Sequence, residues 1–497
     1  MNPLVLKLDL LDNVAVALET LTKGTEVMVD GGAIVLSDDI PALHKFALEA
    51  LDPGDAIVKY GLAIGEAKQS VDSGAWVHTH NLKTALDRVV EYRYTPEPDG
   101  EERSPIGLTF DGYVRSNGAV GTRNEIWVFP SVGCVNQASE TIARVCNEQV
   151  GDRFDGVYAF VHPHGCSQAG DDLEDTRRVL AGLMQNPNAG GVLLLGLGCE
   201  ANQIESVLAA ATDVDRRRLR YFNAQDVEDE IEHGVQAVRE LAHIVERDSR
   251  TECSVSDLIL GLECGGSDAL SGVTANPLVG RLSDRVVAEG GGAILGEVPE
   301  MFGAEQALMD RAVNQDVFAD IVTLIKDYKQ YLTEQGCPVY ENPSPGNLDG
   351  GLTTLEEKSH GAIRKGGTSR VHEVIRYGDR MLGSGLALLN TPGNDAVSST
   401  ALVAAGATVL LFTTGRGTPL GSPVPTIKIS TNTAISEKKP RWIDFNAGAL
   451  ADGSATVEDL EEDLIALLLG IAGGRVQASN EQSNQRSIAI WKNGVTL

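Results

Sequence analysis

Nowhere in this chain do about 18 apolar residues run together, so no segment is expected to cross a membrane as a helix. The first 21 residues break their apolar stretch with Lys7, Asp9 and Asp12, which removes the continuous core that a secretory leader needs. Basic residues are scarce: 41 Lys plus Arg stand against 70 Asp plus Glu, a formal charge of −29. Such a surface repels phosphate backbones and anionic lipid, so neither nucleic acid nor membrane is expected as a partner. Cysteine is sparse, 7 in 497 residues, and lacks the short spacing of a stapled secreted domain. The thiols therefore read as reduced and the protein as cytoplasmic. Also missing are a Gly-x-x-x-x-Gly-Lys-Ser/Thr loop, a well-placed Gly-x-Gly-x-x-Gly, a Gly-x-Ser-x-Gly elbow and His-Glu-x-x-His. These absences count against nucleotide-dependent, hydride-transfer, serine-hydrolase and zincin chemistry.

The length exceeds the roughly 250–300 residues that one core serves, so two or three domains are expected. Residues 1–95 alternate apolar and polar in short runs (Thr25–Val29, Ala33–Leu36, Ala56–Tyr60) punctuated by Gly31-Gly32, Pro53-Gly54 and Gly61, the pattern of a small all-β module. Residues 96–104 are charged, hold proline and show no periodicity, which marks a linker. Over 105–247 the order strand, glycine turn, helix repeats, with helical spacing in Asn136–Glu148, Leu173–Met184 and Ile204–Ala211. That alternation predicts an α/β fold on a mainly parallel sheet. The polar stretch Arg247–Ser256 divides this block from a second α/β block over 257–497. There Ala293–Leu295, Leu386–Leu389 and Val409–Phe412 read as buried strands, and Val457–Leu469 as an amphipathic helix.

Four apolar runs end in a Gly-Cys or Cys-Gly step before a helix. They are Ile126–Phe129 before Gly133-Cys134, Val157–Val161 before Gly165-Cys166, Val192–Leu195 before Gly198-Cys199, and Leu258–Leu260 before Cys264-Gly265-Gly266. In a parallel sheet such turns lie beyond the carboxyl ends of the strands, where ligands bind. The four cysteines are expected to line one site and are candidate metal ligands, since thiolate suits iron; small buried core thiols are the plainer alternative. His78 and His80 stand two apart, and on a strand both imidazoles share a face. The pair is a candidate for metal ligation or proton transfer, His80 as ligand, with a surface or hydrogen-bonded role equally open. Glu200 and Asp268 are further candidates as oxygen ligands or bases. Arg416, glycine-flanked after a buried strand, is a candidate for holding a substrate carboxylate, against a turn-internal salt bridge. Asn390–Asp395 and Gly265–Asp268 could present helix N-termini, though caps use the same residues.

Asp12-Asn-Val-Ala-Val-Ala17, Lys59-Tyr-Gly61, His78-Thr-His-Asn81, Arg123-Asn-Glu125, Val132-Gly-Cys-Val-Asn136, Gly165-Cys-Ser-Gln168, Gly196-Leu-Gly-Cys-Glu200, Glu263-Cys-Gly-Gly-Ser-Asp268, Glu341-Asn-Pro-Ser-Pro-Gly346, Thr414-Gly-Arg-Gly-Thr418 and the ending Gly494-Val-Thr-Leu497 run the length of the chain. With them the sequence closely resembles the altronate and galactarate dehydratase family. The resemblance implies an N-terminal β-clip module of the SAF type, a middle domain and a C-terminal α/β domain. It also implies loss of water from a sugar acid with Fe2+ or Mn2+. The similarity is nearest the branch that turns D-altronate into 2-dehydro-3-deoxy-D-gluconate in hexuronate catabolism, with galactarate or another sugar acid as the alternative substrate. A homodimer or higher homo-oligomer is expected. His164 and His360 depart from the family pattern and are poor candidates for essential chemistry. Two other readings stand beside this one: an iron-sulfur hydro-lyase, because three of the four cysteines could hold a cluster, and a sugar-acid-binding or redox-sensing protein without turnover.

Overall fold

A computed structural model describes residues 4–86, 91–96, 103–150 and 153–496. Of the expected linker, residues 97–102 lie outside the described residues. The N-terminal module is all antiparallel: a four-stranded sheet (Val5–Leu6, Val14–Ala17, Lys45–Ala47, Trp76–Val77), a hairpin (Glu26–Val29 with Gly32–Val35) and a three-stranded sheet (Ala56–Lys59, Leu62–Ala67, Leu82–Lys83). Period-two alternation divides its interior. Val14 enters one small core with Ile57, Ile64 and Val77, whereas Ala15 and Ala17 enter another with Leu36, Ile40 and Phe46. Tyr92 and Tyr94, which the sequence places with the module, instead pin the chain to the C-terminal block. Their hydroxyls donate to Glu305 Oε1 at 2.6 Å and to the Ala312 carbonyl at 3.1 Å.

Two parallel sheets follow. The first orders its strands Val157–Ala159, Glu125–Pro130, Ala189–Gly196, Leu219–Asn223. Alternate residues again serve opposite faces: Ile126 and Val128 pack toward helices Asn136–Val150 and Glu230–Val245, Trp127 and Phe129 toward Asp171–Met184 and Ile204–Ala210. The second sheet has seven strands, ordered Val371–Ile375, Gly385–Leu389, Gly292–Leu295, Ile259–Cys264, Val409–Thr414, Thr426–Ser430, Phe445–Asn446. The sheets share one core, in which helix Asp171–Met184 lies on helix Asp395–Ala404. Gly182 permits that approach, because a Cβ there would stand 2.5 Å from the Ala404 carbonyl oxygen.

The polar stretch Arg247–Ser256 is more than a divider. Thr251–Ser254 pairs antiparallel with Thr109–Val114, burying Cys253 while its neighbours face outward, so its polarity reflects an edge strand. Each parallel sheet also has a point where successive connections leave in opposite directions. It falls between Glu125–Pro130 and Ala189–Gly196 in the first and between Ile259–Cys264 and Val409–Thr414 in the second. Crevices at such points are where open α/β sheets bind ligands. No helix among the described residues is long and apolar enough to cross a membrane.

Candidate active site and metal centre

At the switch point of the seven-stranded sheet the strand Ile259–Cys264 ends in two residues that an apolar strand does not ordinarily carry, Glu263 and Cys264, both buried. The neighbouring strand ends at Leu295, and Gly296 leads into Glu297, whose φ of +62° turns its carboxylate back over the sheet. Glu297 Oε2 accepts from the Cys264 amide at 3.1 Å, from the Cys264 thiol at 3.4 Å and from Lys365 at 2.9 Å. The thiol also reaches Glu300 Oε2 at 3.1 Å, and Lys358 holds Glu300 Oε1 at 2.7 Å. Asp395 enters from the first turn of its helix. It can do so only because residue 265 is glycine, where a Cβ would sit 2.1 Å from Asp395 Oδ2.

Among the described residues, Cys264, Glu297 and Glu300 converge to within 4.8 Å, as do Glu263, Glu297 and Asp395. Four carboxylates here face two ammonium groups, Lys358 and Lys365. Both oxygens of Glu263 and Oε1 of Glu297 are buried without a hydrogen-bond partner, a costly state for isolated acceptors. Burial, then the Glu297 charge, pushes Glu263 well above the usual carboxylate range. Burial followed by Glu297 and Glu300 pushes Asp395 up to about 7. Burial, and then Glu297 and Glu300, raises the Cys264 thiol. The excess negative charge and the unpaired oxygens fit a divalent cation, and a carboxylate-thiol donor set suits iron or manganese. Cys264 would join as a ligand by giving up its proton.

The N-terminal module closes over this end of the sheet. Lys45 and Lys59, both buried, hold the two oxygens of Glu357 at 2.9 and 2.8 Å on helix Leu355–Ala362. Burial would raise Glu357, but the two ammonium groups outweigh it and hold it down to about 2; burial lowers Lys45 to about 8. His78 Nε2 lies 3.2 Å from the Leu348 carbonyl and His44 Nε2 3.4 Å from that of Asp349, so two imidazoles seat the short helix Pro345–Asp349 ahead of that helix. The same short helix sends Asn347 Nδ2 to the Ser267 carbonyl at 2.9 Å, while Asn347 Oδ1 accepts from Lys358 at 3.2 Å. Burial and then Lys45 lower His78 to about 4, so it is a neutral base at pH 7.

Of the residues singled out by sequence, this end of the sheet gathers Cys264, Asp268 and Arg416, with His78 reaching its covering loop. Asp268 is buried and knits loops together. Its Oδ2 accepts from Thr431 at 2.8 Å and Asn432 at 3.0 Å, its Oδ1 from the Leu270 amide at 3.0 Å. Gly415 makes room for it, since a Cβ there would meet the Asp268 carboxylate at 2.4 Å. Arg416 is exposed beside it, its amide donating to the Gly266 carbonyl at 3.0 Å. His78 and His80 do not share a strand face, because the strand stops at Val77 and both follow in a turn. Their rings lie 5.3 and 5.1 Å from that of Trp76, and His80 is exposed.

The expectation of one four-cysteine site is corrected by the topology. Cys134, Cys166 and Cys199 belong to the four-stranded sheet and are exposed, whereas Cys264 is buried in the seven-stranded one. Glu200 stays with the former. Burial would raise its carboxyl, but bonds from Ser131 and from the Gly198 amide at 2.7 Å and the Leu197 amide at 3.1 Å bring it below the usual range. Glu263, Glu297, Glu300, Lys358, Lys365 and Glu357 were missed by sequence reasoning. Leu295-Gly296-Glu297 repeats the strand-glycine-donor pattern of the cysteine turns with a carboxylate in place of the thiol.

Three family descriptions match consecutive parts of the chain. "Altronate/galactarate dehydratase SAF domain" covers residues 3–85, "D-galactarate dehydratase/Altronate hydrolase, second domain" 112–246, and "D-galactarate/Altronate dehydratase, C-terminal" 255–496. The altronate dehydratase of Bacillus subtilis (strain 168) is 47% identical over 488 residues, 98% of either chain. That of Escherichia coli (strain K12) is 47% identical over 496 residues, 99% of either chain. The galactarate dehydratase (L-threo-forming) of Escherichia coli (strain K12) is 35% identical over 502 residues, 95% of this chain and 93% of that one.

Proposed function

This chain belongs to the D-galactarate/altronate dehydratase family, and on that premise we propose that it removes water from D-altronate, giving 2-dehydro-3-deoxy-D-gluconate, with ferrous or manganese ion. The observation that carries the metal dependence is the cluster of buried Glu263, Glu297, Glu300 and Cys264 with half-buried Asp395, and its unpartnered oxygens. The higher identity to two altronate dehydratases than to the galactarate enzyme favours altronate as substrate.

Loss of water from a 2,3-dihydroxy acid removes the weakly acidic C2 proton beside the carboxylate and expels the C3 hydroxyl. Glu263, Glu297, Glu300, Asp395 and Cys264 would hold the ion, which when bound would supply Lewis acidity toward the substrate's oxygens. Arg416, exposed at the switch point, offers its guanidinium to the substrate carboxylate. Lys358 and Lys365 keep positive charge beside the centre as the substrate acquires enolate character. His78, neutral at pH 7, gives Nε2–H to the Leu348 carbonyl and so leaves Nδ1 as the acceptor, 3.1 Å from the Thr79 hydroxyl, which must turn away before Nδ1 can take a proton. The module's docked face keeps water from the covered side.

The test is chelation followed by anaerobic readdition of ferrous ion, with 2-keto-3-deoxy acid formation measured for both sugar acids. Turnover of altronate restored by the metal is the expected result. Full activity without metal would overturn the metal assignment, and a higher kcat/KM for galactarate would move the substrate assignment.

A further inference from the structure

The mononuclear centre leaves Cys134, Cys166 and Cys199 without a role. We propose that these three thiols are the protein ligands of an iron-sulfur cluster of the four-iron type, held at the switch point of the four-stranded sheet and separate from the carboxylate-thiol centre.

The three cysteines follow three adjacent strands: Cys166 after Val157–Ala159, Cys134 after Glu125–Pro130 and Cys199 after Ala189–Gly196. Cys134 and Cys199 therefore flank the place where the sheet reverses its winding. Their loops are locked together at residues next to the thiols. The Gly133 amide donates to the His164 carbonyl at 2.9 Å, and the Asn202 amide to the Gly165 carbonyl at 3.0 Å. Asn202 Nδ2 donates to the Ser131 carbonyl at 2.9 Å. Gly165, at φ +100°, lies so close to the Ser131–Val132 backbone that a Cβ would stand 2.2 Å from the Ser131 oxygen.

Packing does not explain these thiols. Cys146 and Cys253 are buried in apolar surroundings, as core cysteines are, whereas this trio is exposed. A single shared ion does not explain them either. Among the described residues they are not one of the donor groups that converge to within 4.8 Å, while in a cluster each thiolate binds a different iron and the sulfurs stand wider apart. Two further features favour a bound anionic group. Cys134 lies in the 3-10 turn that leads into the 15-residue helix Asn136–Val150, whose free amides stabilise a thiolate. Gln225 Nε2 donates to Cys199 Sγ at 3.4 Å, the kind of sulfur hydrogen bond that tunes clusters. Asn202 Oδ1, buried between the loops without a partner, is by contrast an acceptor, open to a metal ion or a proton donor. Three thiolates leave one corner of the cube without a protein ligand, a position for an exchangeable oxygen donor.

The experiment is anaerobic reconstitution of the full chain with ferrous ion and sulfide, followed by iron, acid-labile sulfide and visible absorption. The expected wild-type result is a brown protein with about four irons and four sulfides per chain. Cys134→Ser, Cys166→Ser and Cys199→Ser each lose the sulfide and the visible band together, while Cys264→Ser keeps both although its turnover falls. Absence of labile sulfide in reconstituted wild type overturns the proposal without recourse to any variant. So does retention of sulfide in all three single variants, or its loss in Cys264→Ser. Failure here leaves the carboxylate-thiol centre standing, since that is read by metal-dependent turnover alone.

Discussion

The seven-stranded and four-stranded sheets both reverse at a switch point and both set glycine-cysteine steps there, yet Cys264 is buried among four carboxylates while Cys134, Cys166 and Cys199 meet solvent. The difference lies in what covers the strand ends. Helix Leu355–Ala362 and the short helix Pro345–Asp349 before it, seated by the β-module, close over the larger sheet. Inside that enclosure a thiol becomes a hydrogen-bond donor to carboxylates, and carboxylates lose the water that would keep them ionised. The same backbone address therefore carries a covered carboxylate-thiol cluster in one sheet and three exposed thiols in the other.

Glu297→Gln tests that contrast most severely, because Glu297 alone belongs to both converging donor groups. A fall in kcat/KM of at least roughly 100-fold is expected, with the metal that is not matched by acid-labile sulfide lost by elemental analysis and far-UV circular dichroism unchanged. Retention of that metal would show that the covered cluster is only an ion-pair network. Next in size is Glu357→Ala, which strands two buried ammonium groups and should cost about 3–5 kcal/mol in urea unfolding. Exchanging Lys45, Lys59 and Glu357 together for apolar residues should recover most of that loss.

Acid probes the same contact. Glu357 is held near about 2 against an ordinary 4.5. Its depressed carboxyl contributes stability that is complete above pH 4.5 and is lost as pH falls toward 2, on the order of 3 kcal/mol. A wild-type acid transition in that window that vanishes in the apolar triple variant would confirm the source. Gly415→Ala, whose Cβ would press on Asp268, is expected to cost about 1–3 kcal/mol by thermal unfolding. Smallest of all, Cys337→Ser, at an exposed thiol beyond both sheets, should change stability by less than about 0.5 kcal/mol and leave metal content and turnover alone.

The α/β pattern was legible because parallel strands buried on both faces read as continuous runs, such as Val192-Leu-Leu-Leu195, and glycine marks their exits. The helices at Asn136, Asp171 and Ile204 stand within about two residues of where their periodicity put them. Sequence could not show that the thiols divide between two sheets, because strand order depends on long-range pairing and local pattern does not encode it. Nor could it reveal helix Leu355–Ala362. Glu356, Glu357 and Lys358 look like a solvated face, yet all are buried because each charge meets a partner contributed from far along the chain. His78 was found, but its two-residue spacing from His80 suggested a shared ligand set, where the structure provides a turn around Trp76.

The lysine clamp joins a module with its own cores to a body with its own cores, and Tyr92 and Tyr94 fasten the intervening chain to that body. If the clamp opens, the module stays covalently joined to the body through the chain that leads to Tyr92, so reclosure is intramolecular at a high effective concentration, independent of how dilute the protein is. Mild heat or acid should then silence turnover before either part melts. On return to neutral conditions, recovery should follow first-order kinetics at one rate across dilutions.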